Sequence, residues 1–270
     1  MHLKRWITGL SALPFLIYFI YKGGLMFSFL LTVACLFSLW EYFRIVFGTG
    51  GKTYFNIIVV WGFIVSLAIL WTAYFKGLES VLIVVAVNLL GTAFISLFQF
   101  KTNPLVMESV KKQIQGIVYI PVLLSLLISI RNSPEGLTWI FFLLAIVFAG
   151  DISALYVGTL IGRHKLCPAV SPGKTIEGSL GGIAANLLIG GIAKMLFLPQ
   201  LSWGLSILFF LAVGAAGQVG DLFESELKRA SKVKDSGGIL PGHGGFLDRI
   251  DALLFAAPVA YIFKMYIFNS

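Results

Sequence analysis

Apolar residues fill long unbroken runs along this chain, separated by short charged or turn-rich breaks. Nine runs stand out, at about 6–21, 24–40, 54–75, 79–99, 114–130, 137–162, 178–198, 203–223 and 250–268. Most are about 17 to 25 residues long, the length of helix that crosses a hydrocarbon core of about 30 Å. They show no period-two alternation, which argues against a membrane β-barrel. The pattern predicts an all-α polytopic integral membrane protein of about nine transmembrane helices.

The basic residues orient these spans, because cytoplasmic loops carry the excess of Lys and Arg. With the N-terminus cytoplasmic, only Lys22, Lys76, Arg131, Lys194 and Lys264 fall outside, and the other fifteen of the 20 fall inside. The expectation is therefore a cytoplasmic N-terminus, an external C-terminus and a multi-pass place in the cell's inner (plasma) membrane. The first run, after Lys4-Arg5, has the charge and hydrophobicity of a signal peptide but no small-residue cleavage site, and it reads as a retained helix. Cys35 and Cys167 give no disulfide framework.

Composition agrees. The chain is 58% hydrophobic and 12% charged, with a mean hydropathy of +0.93, whereas soluble domains carry roughly 25% charge. A net charge of +8 suits anionic lipid surfaces or anionic substrates, and no nucleic-acid partner is expected. Residues 1–135, about five helices with plain loops, read as a scaffold. Residues 136–270, about four helices, concentrate charges and glycines in two cytoplasmic connections, 151–177 and 221–251, and read as the catalytic region. The small-residue face Gly181-Gly182-Ile183-Ala184-Ala185 permits close packing within or between chains, so a homodimer is one expectation.

Candidate chemistry lies in those connections. An acid at membrane depth is expensive, about 2.5 to 3.5 kcal/mol on insertion scales, so Asp151 should face a polar cavity or a partner. On a continuous helix Asp221, Glu224, Ser225 and Lys228 fall at i, i+3, i+4 and i+7 and share one face. Asp248 and Asp251 stand at i and i+3 before the last span, after a Gly244-Gly245 pair that lets the backbone turn sharply. Carboxylates gathered at one level repel unless a cation joins them. Hard oxygen donors point to Mg²⁺, Mn²⁺ or Ca²⁺ rather than zinc. Basic residues and glycine N–H groups nearby suit phosphate. Together they indicate phosphoryl or nucleotidyl transfer on a lipid. Gly173-Lys174-Thr175 is no Walker A loop, since residue 168 is proline where glycine is required. Lys174, Ser171 and Thr175 can still bind phosphate, or Thr175 can simply cap the next helix.

Ser225-Glu226-Leu227-Lys228-Arg229, then Lys234-Asp235, then Pro241-Gly242-His243-Gly244-Gly245-Phe246-Leu247-Asp248-Arg249-Ile250-Asp251 resembles the signature of phosphatidate cytidylyltransferases, the CDP-diacylglycerol synthases. Gly220-Asp221 and Ser171-Pro172-Gly173-Lys174-Thr175 also resemble the family; Ile176, where members often have an aromatic, departs from it. The resemblance implies that CTP and phosphatidate give CDP-diacylglycerol and pyrophosphate, with Mg²⁺ or Mn²⁺ and room for a second cation. It implies metal ligands at Asp221, Asp248 and Asp251 and catalytic roles for these with Lys228 and His243. Substrate contacts would come from Ser171, Lys174, Thr175, Ser225, Arg229, Lys234, Gly244, Gly245 and Arg249. The rival readings are a CDP-alcohol phosphatidyltransferase, whose aspartate signature is not found, and a cation channel or transporter, which explains Asp151 and Asp221 but not the glycine-rich loop.

Overall fold

The computed structural model describes residues 13–48, 56–233, 236–237 and 244–268. Lys234 and His243, both expected site residues, lie outside the described residues. The chain divides into two units, Met1–Asn132 with Ser231–Arg249, and Ser133–Ala230 with Ile250–Ser270.

The first unit holds α1 (Leu13–Lys22), α2 (Gly24–Phe47), α3 (Ile57–Lys76), α4 (Leu78–Gln99), α5 (Val106–Ile117) and α6 (Leu123–Asn132). Asn56 starts α3 by accepting from the Val59 amide at 3.0 Å, the usual N-cap arrangement. The expected span at 114–130 begins earlier, at Val106. Its polar first half is amphipathic: Val106, Val110, Gln113 and Ile117 are buried, while Glu108 and Lys111 pair with each other in the open at 2.8 Å. Gln113 and Asn88 of α4 exchange side-chain hydrogen bonds of 2.8 and 3.3 Å, satisfying two buried amides that hydrocarbon could not. A π turn, Val118–Val122, joins α5 to α6 around Pro121. Proline has no N–H and its ring crowds the preceding turn, so the helix widens there rather than stopping.

The second unit holds α7 (Gly136–Ile161), a hairpin of β1 (Lys165–Cys167) and β2 (Ser171–Thr175), α8 (Ile176–Phe197), α9 (Trp203–Ala230) and α10 (Asp251–Ile262), which ends in a π turn at Phe263–Ile267. α7 and α8 meet through small residues. A side chain at Gly178 would crowd the Ala154 carbonyl, one at Gly181 the Val157 side chain, and one at Gly182 the Gly150 carbonyl. The small-residue face around Gly181 is thus occupied within the chain, as close backbone packing in membranes requires. At the far end of this unit Lys194 lies over Trp203 and Lys264 over Trp139, at 4.5 and 5.0 Å from the ring centres.

Among the described residues seven helices, counting Val106–Asn132 as one, are long and apolar enough to cross a membrane. The chain is a helical polytopic membrane protein, with one hairpin among the described residues. Of the two remaining expected spans, the described residues show α1, from Leu13, and α10 with its π turn. α7 runs through Asp151 to Ile161, and α9 through Asp221 to Ala230, so both acids ride on helices rather than on the connections.

Candidate functional site

Four elements of the second unit bring charge together. Asp221 follows Gly220 on α9, and a side chain at Gly220 would overlap the Asp251 carbonyl, so α9 and α10 pack closely at this level. Lys174, near the end of β2, places Nζ 2.7 Å from Asp221 Oδ2. That distance is the length of a charge-assisted contact, and Lys174 Nζ is shielded from solvent. Asp151 of α7 interacts electrostatically with Asp221 and Lys174. Asp251, at the start of α10, interacts with Asp221, Asp151 and Lys174. Asp251 is 8% exposed, and its Oδ1 accepts from the Ala252 amide at 2.8 Å. Three carboxyl groups therefore gather about one lysine.

A cavity of about 400 Å³ opens beside them, with Asp151, Lys174, Asp221, Ser171, Thr175, Ser179 and Gln218 among its lining and Ala154, Leu155 and Leu166 supplying apolar wall. A small set of polar groups in an otherwise apolar concavity is the usual make-up of a small-molecule site. Gln218 donates to the Ser179 carbonyl at 2.9 Å and takes the Ser179 hydroxyl on its oxygen, so the amide is held in place. The Thr175 hydroxyl caps α8 by accepting from the Gly178 amide at 3.1 Å. The hairpin is tied at both ends: Arg229 Nε donates to the Val170 carbonyl at 3.2 Å, and Glu177 takes the Arg163 and His164 amides at 3.0 and 3.2 Å.

Farther along α9, Lys228 pairs with Glu224 at 2.5 Å, and the Glu224 side chain is 1% exposed. This is an i, i+4 pair on the face expected to carry them. The Lys228 charge is thus matched inside the helix. Ser225, beside it, is half-buried.

The signature loop belongs to the first unit up to Arg249. Gly244 has φ 78, a left-handed conformation that glycine adopts without strain. The Gly245 amide donates to Asp248 Oδ2 at 3.0 Å, and Leu247–Arg249 form a 3₁₀ turn. Arg249 is exposed.

The expected metal ligands belong to two units. In the second, Asp221 and Asp251 share a neighbourhood with Asp151 as its third acid; in the first, Asp248 closes the turn of its own loop. Among the described residues no three His, Cys, Asp or Glu side chains stand as a ready metal cage. Mg²⁺ usually takes one or two carboxylates and completes its shell with water and substrate phosphates, so the hard oxygens of Asp221 and Asp251 fit that ion. Asp151 is a member of the acid cluster that the sequence marked as costly without giving it a role. Gln218, Ser179 and Glu41 carried no sequence signal: the first two are ordinary small polar residues on helices, and Glu41 stands alone in an aromatic run.

Comparison with known proteins adds the lineage. The model of the cytidylyltransferase family matches residues 3–267. A phosphatidate cytidylyltransferase of Bacillus subtilis is 43% identical over 145 residues, 53% of this chain and 54% of that protein. Proteins of the same name from Staphylococcus epidermidis and Brucella abortus are 45% identical over 128 residues and 44% over 140. These alignments cover 47% and 52% of this chain and 49% and 52% of those proteins. The chain thus spans about half the length of the curated relatives it matches.

Proposed function

This chain belongs to the cytidylyltransferase family, and from that premise we propose that it makes CDP-diacylglycerol and pyrophosphate from CTP and phosphatidate. The observation that carries the reading is the Lys174–Asp221 pair at 2.7 Å, set among Asp151 and Asp251 on the wall of a cavity between membrane helices. A solvent-shielded ammonium on a cavity wall suits a phosphate oxygen, and hard oxygens from several acids suit a divalent cation.

In the proposed reaction a phosphatidate oxygen forms a bond to the α-phosphorus of CTP as the bond from that phosphorus to the β-phosphate oxygen breaks. A phosphate monoester with a second pKa of about 6 is already ionised at neutral pH, so little general-base help is needed. What the protein supplies is alignment and charge neutralisation. Lys174 offsets phosphate charge, with Ser171 and Thr175 as hydroxyl donors beside it. Asp221 and Asp251 would hold Mg²⁺, or Mn²⁺ in its place, and Asp248 a second cation. Such an ion, when bound, supplies charge stabilisation on the phosphates. Lys228, Arg229, Lys234, Arg249 and His243 are assigned to neutralising the triphosphate or the leaving pyrophosphate, with Ser225 and the amides of Gly244 and Gly245 as further donors. The site faces the cytoplasm of the inner membrane, where CTP and lipid headgroups meet, and a chain of nine spans with a cytoplasmic N-terminus is the topology proposed for it.

Pyrophosphate release and lipid-linked CMP are measured with detergent-purified protein and CTP, with and without phosphatidate, before and after EDTA. Release that requires the lipid and disappears on chelation is expected. Pyrophosphate release indifferent to phosphatidate, or no lipid-linked CMP, would refute the reading.

A further inference from the structure

α2 presents one helical face to the signature loop. Phe37, Trp40, Glu41 and Arg44 fall at i, i+3, i+4 and i+7. The Phe37 and Phe246 rings lie 6.0 Å apart. Arg44 packs its guanidinium over Trp40 at 5.0 Å and donates from Nη2 to the Ser236 carbonyl at 2.5 Å. Glu41 is 0% exposed. Its Oε2 accepts from the Leu247 amide at 2.8 Å and from the Ser236 hydroxyl at 3.3 Å. Gly237 and Gly245 leave room for that carboxylate, since a side chain on either would overlap Glu41, and one on Gly245 the Ser236 hydroxyl as well.

A buried carboxylate is costly, and an apolar side chain would pack this position at less expense. What an apolar residue could not do is bind both described ends of the loop through one group. From the Leu247 amide the chain passes at once to Asp248, whose carboxylate closes the turn on the Gly245 amide. We infer that Glu41 is a positioning residue: one carboxylate on α2 pins Ser236–Gly237 to Gly245–Leu247 and so sets the conformation in which Asp248 is presented. The catalytic half of this inference rests on the proposed function; the pinning itself does not.

The test is Glu41→Gln in the full chain in detergent. The amide keeps the size of the side chain but removes the charge and puts an N–H group where acceptors are needed. Amide hydrogen exchange should accelerate at least about tenfold in residues 244–249, with α3 and α4 unchanged. Turnover should fall about 10- to 100-fold with KM for phosphatidate unmoved, and the magnesium concentration for half-maximal activity should rise. Glu41→Asp, which keeps the charge, should recover part of each. Unchanged exchange in 244–249 overturns the inference, and so does acceleration spread evenly over the first unit, which would mark Glu41 as a mere fold residue. If the wild type makes no lipid-linked CMP, the proposed function fails while the exchange result still decides the pinning. Should Glu41→Gln not fold, wild-type exchange decides: Gly245 and Leu247 amides as slow as those of α2 support the inference, and amides exchanging at free-peptide rates sink it.

Discussion

Replacing Asp221 by Asn separates chemistry from stability. Nζ and Oδ2 of the Lys174–Asp221 pair stand 2.7 Å apart, with side chains 25% and 41% exposed. At an effective dielectric near 20, unit charges about 4 Å apart attract by about 4 kcal/mol before desolvation and screening; partly exposed pairs retain about 1 kcal/mol or less. Against that loss stands relief of the repulsion Asp221 exerts on Asp151 and Asp251. The two effects oppose, so folding stability should change by less than about 1 kcal/mol, a shift of a few degrees in Tm. Turnover should behave otherwise. Removing a preorganised charge from phosphoryl chemistry costs about 10²- to 10³-fold, or roughly 3 to 4 kcal/mol. The assay is CTP-dependent formation of lipid-linked CMP across a magnesium titration, paired with a thermal melt of the same sample. Near-wild-type turnover of Asp221→Asn at saturating magnesium would refute the assignment. A fall in activity matched by a large fall in Tm would refute the separation of the two roles.

Two further outcomes follow from other parts of the molecule. Asn88→Ala strands the Gln113 amide inside the first unit and should destabilise it by about 1 to 3 kcal/mol without changing kcat; the Asn88→Leu, Gln113→Leu double variant should recover much of that loss in the same melt. Cys167, half-buried at the end of β1, should react with a membrane-impermeant maleimide in inverted vesicles and not in intact cells, while Cys35, 1% exposed, should stay unlabelled in both. Labelling of Cys167 from the outside would reverse the proposed orientation.

The helices were legible because a bilayer demands long apolar runs, and α3, α4, α7 and α8 begin and end within a few residues of those runs. α5 was not, because Glu108, Lys111 and Lys112 give its first turns the polarity of a loop; only the spacing of Val106, Val110, Gln113 and Ile117 betrays a buried face. The hairpin left no signal, since strands of three and five residues that contain Pro172 and Gly173 read as a turn-rich connection. In the site, the cost of burying an acid marked Asp151 from sequence, and a helical face shared with Glu224, Ser225 and Lys228 marked Asp221. Their meeting with Lys174 and Asp251 depends on how four elements pack, which no local pattern encodes. Glu41 escaped for the same reason, as its partners lie some two hundred residues away along the chain.

The length of the acid-bearing helices has a consequence for the setting in which the protein works. α7 has 26 residues and α9 28, about 39 and 42 Å at 1.5 Å per residue, against a hydrocarbon slab of about 30 Å. Asp151 lies ten residues before the end of α7 and Asp221 nine before the end of α9, so each sits about 13 to 15 Å below its helix tip. The surplus over the slab is about 9 Å for α7 and about 12 Å for α9; carried wholly at this end, it would leave the two carboxylates about 6 and about 2 Å inside the hydrocarbon edge. Rods too long for their slab answer a change in its thickness by tilting. Lipids that thin or thicken the membrane by a few ångströms would thereby raise or lower the acids relative to the lipid headgroups.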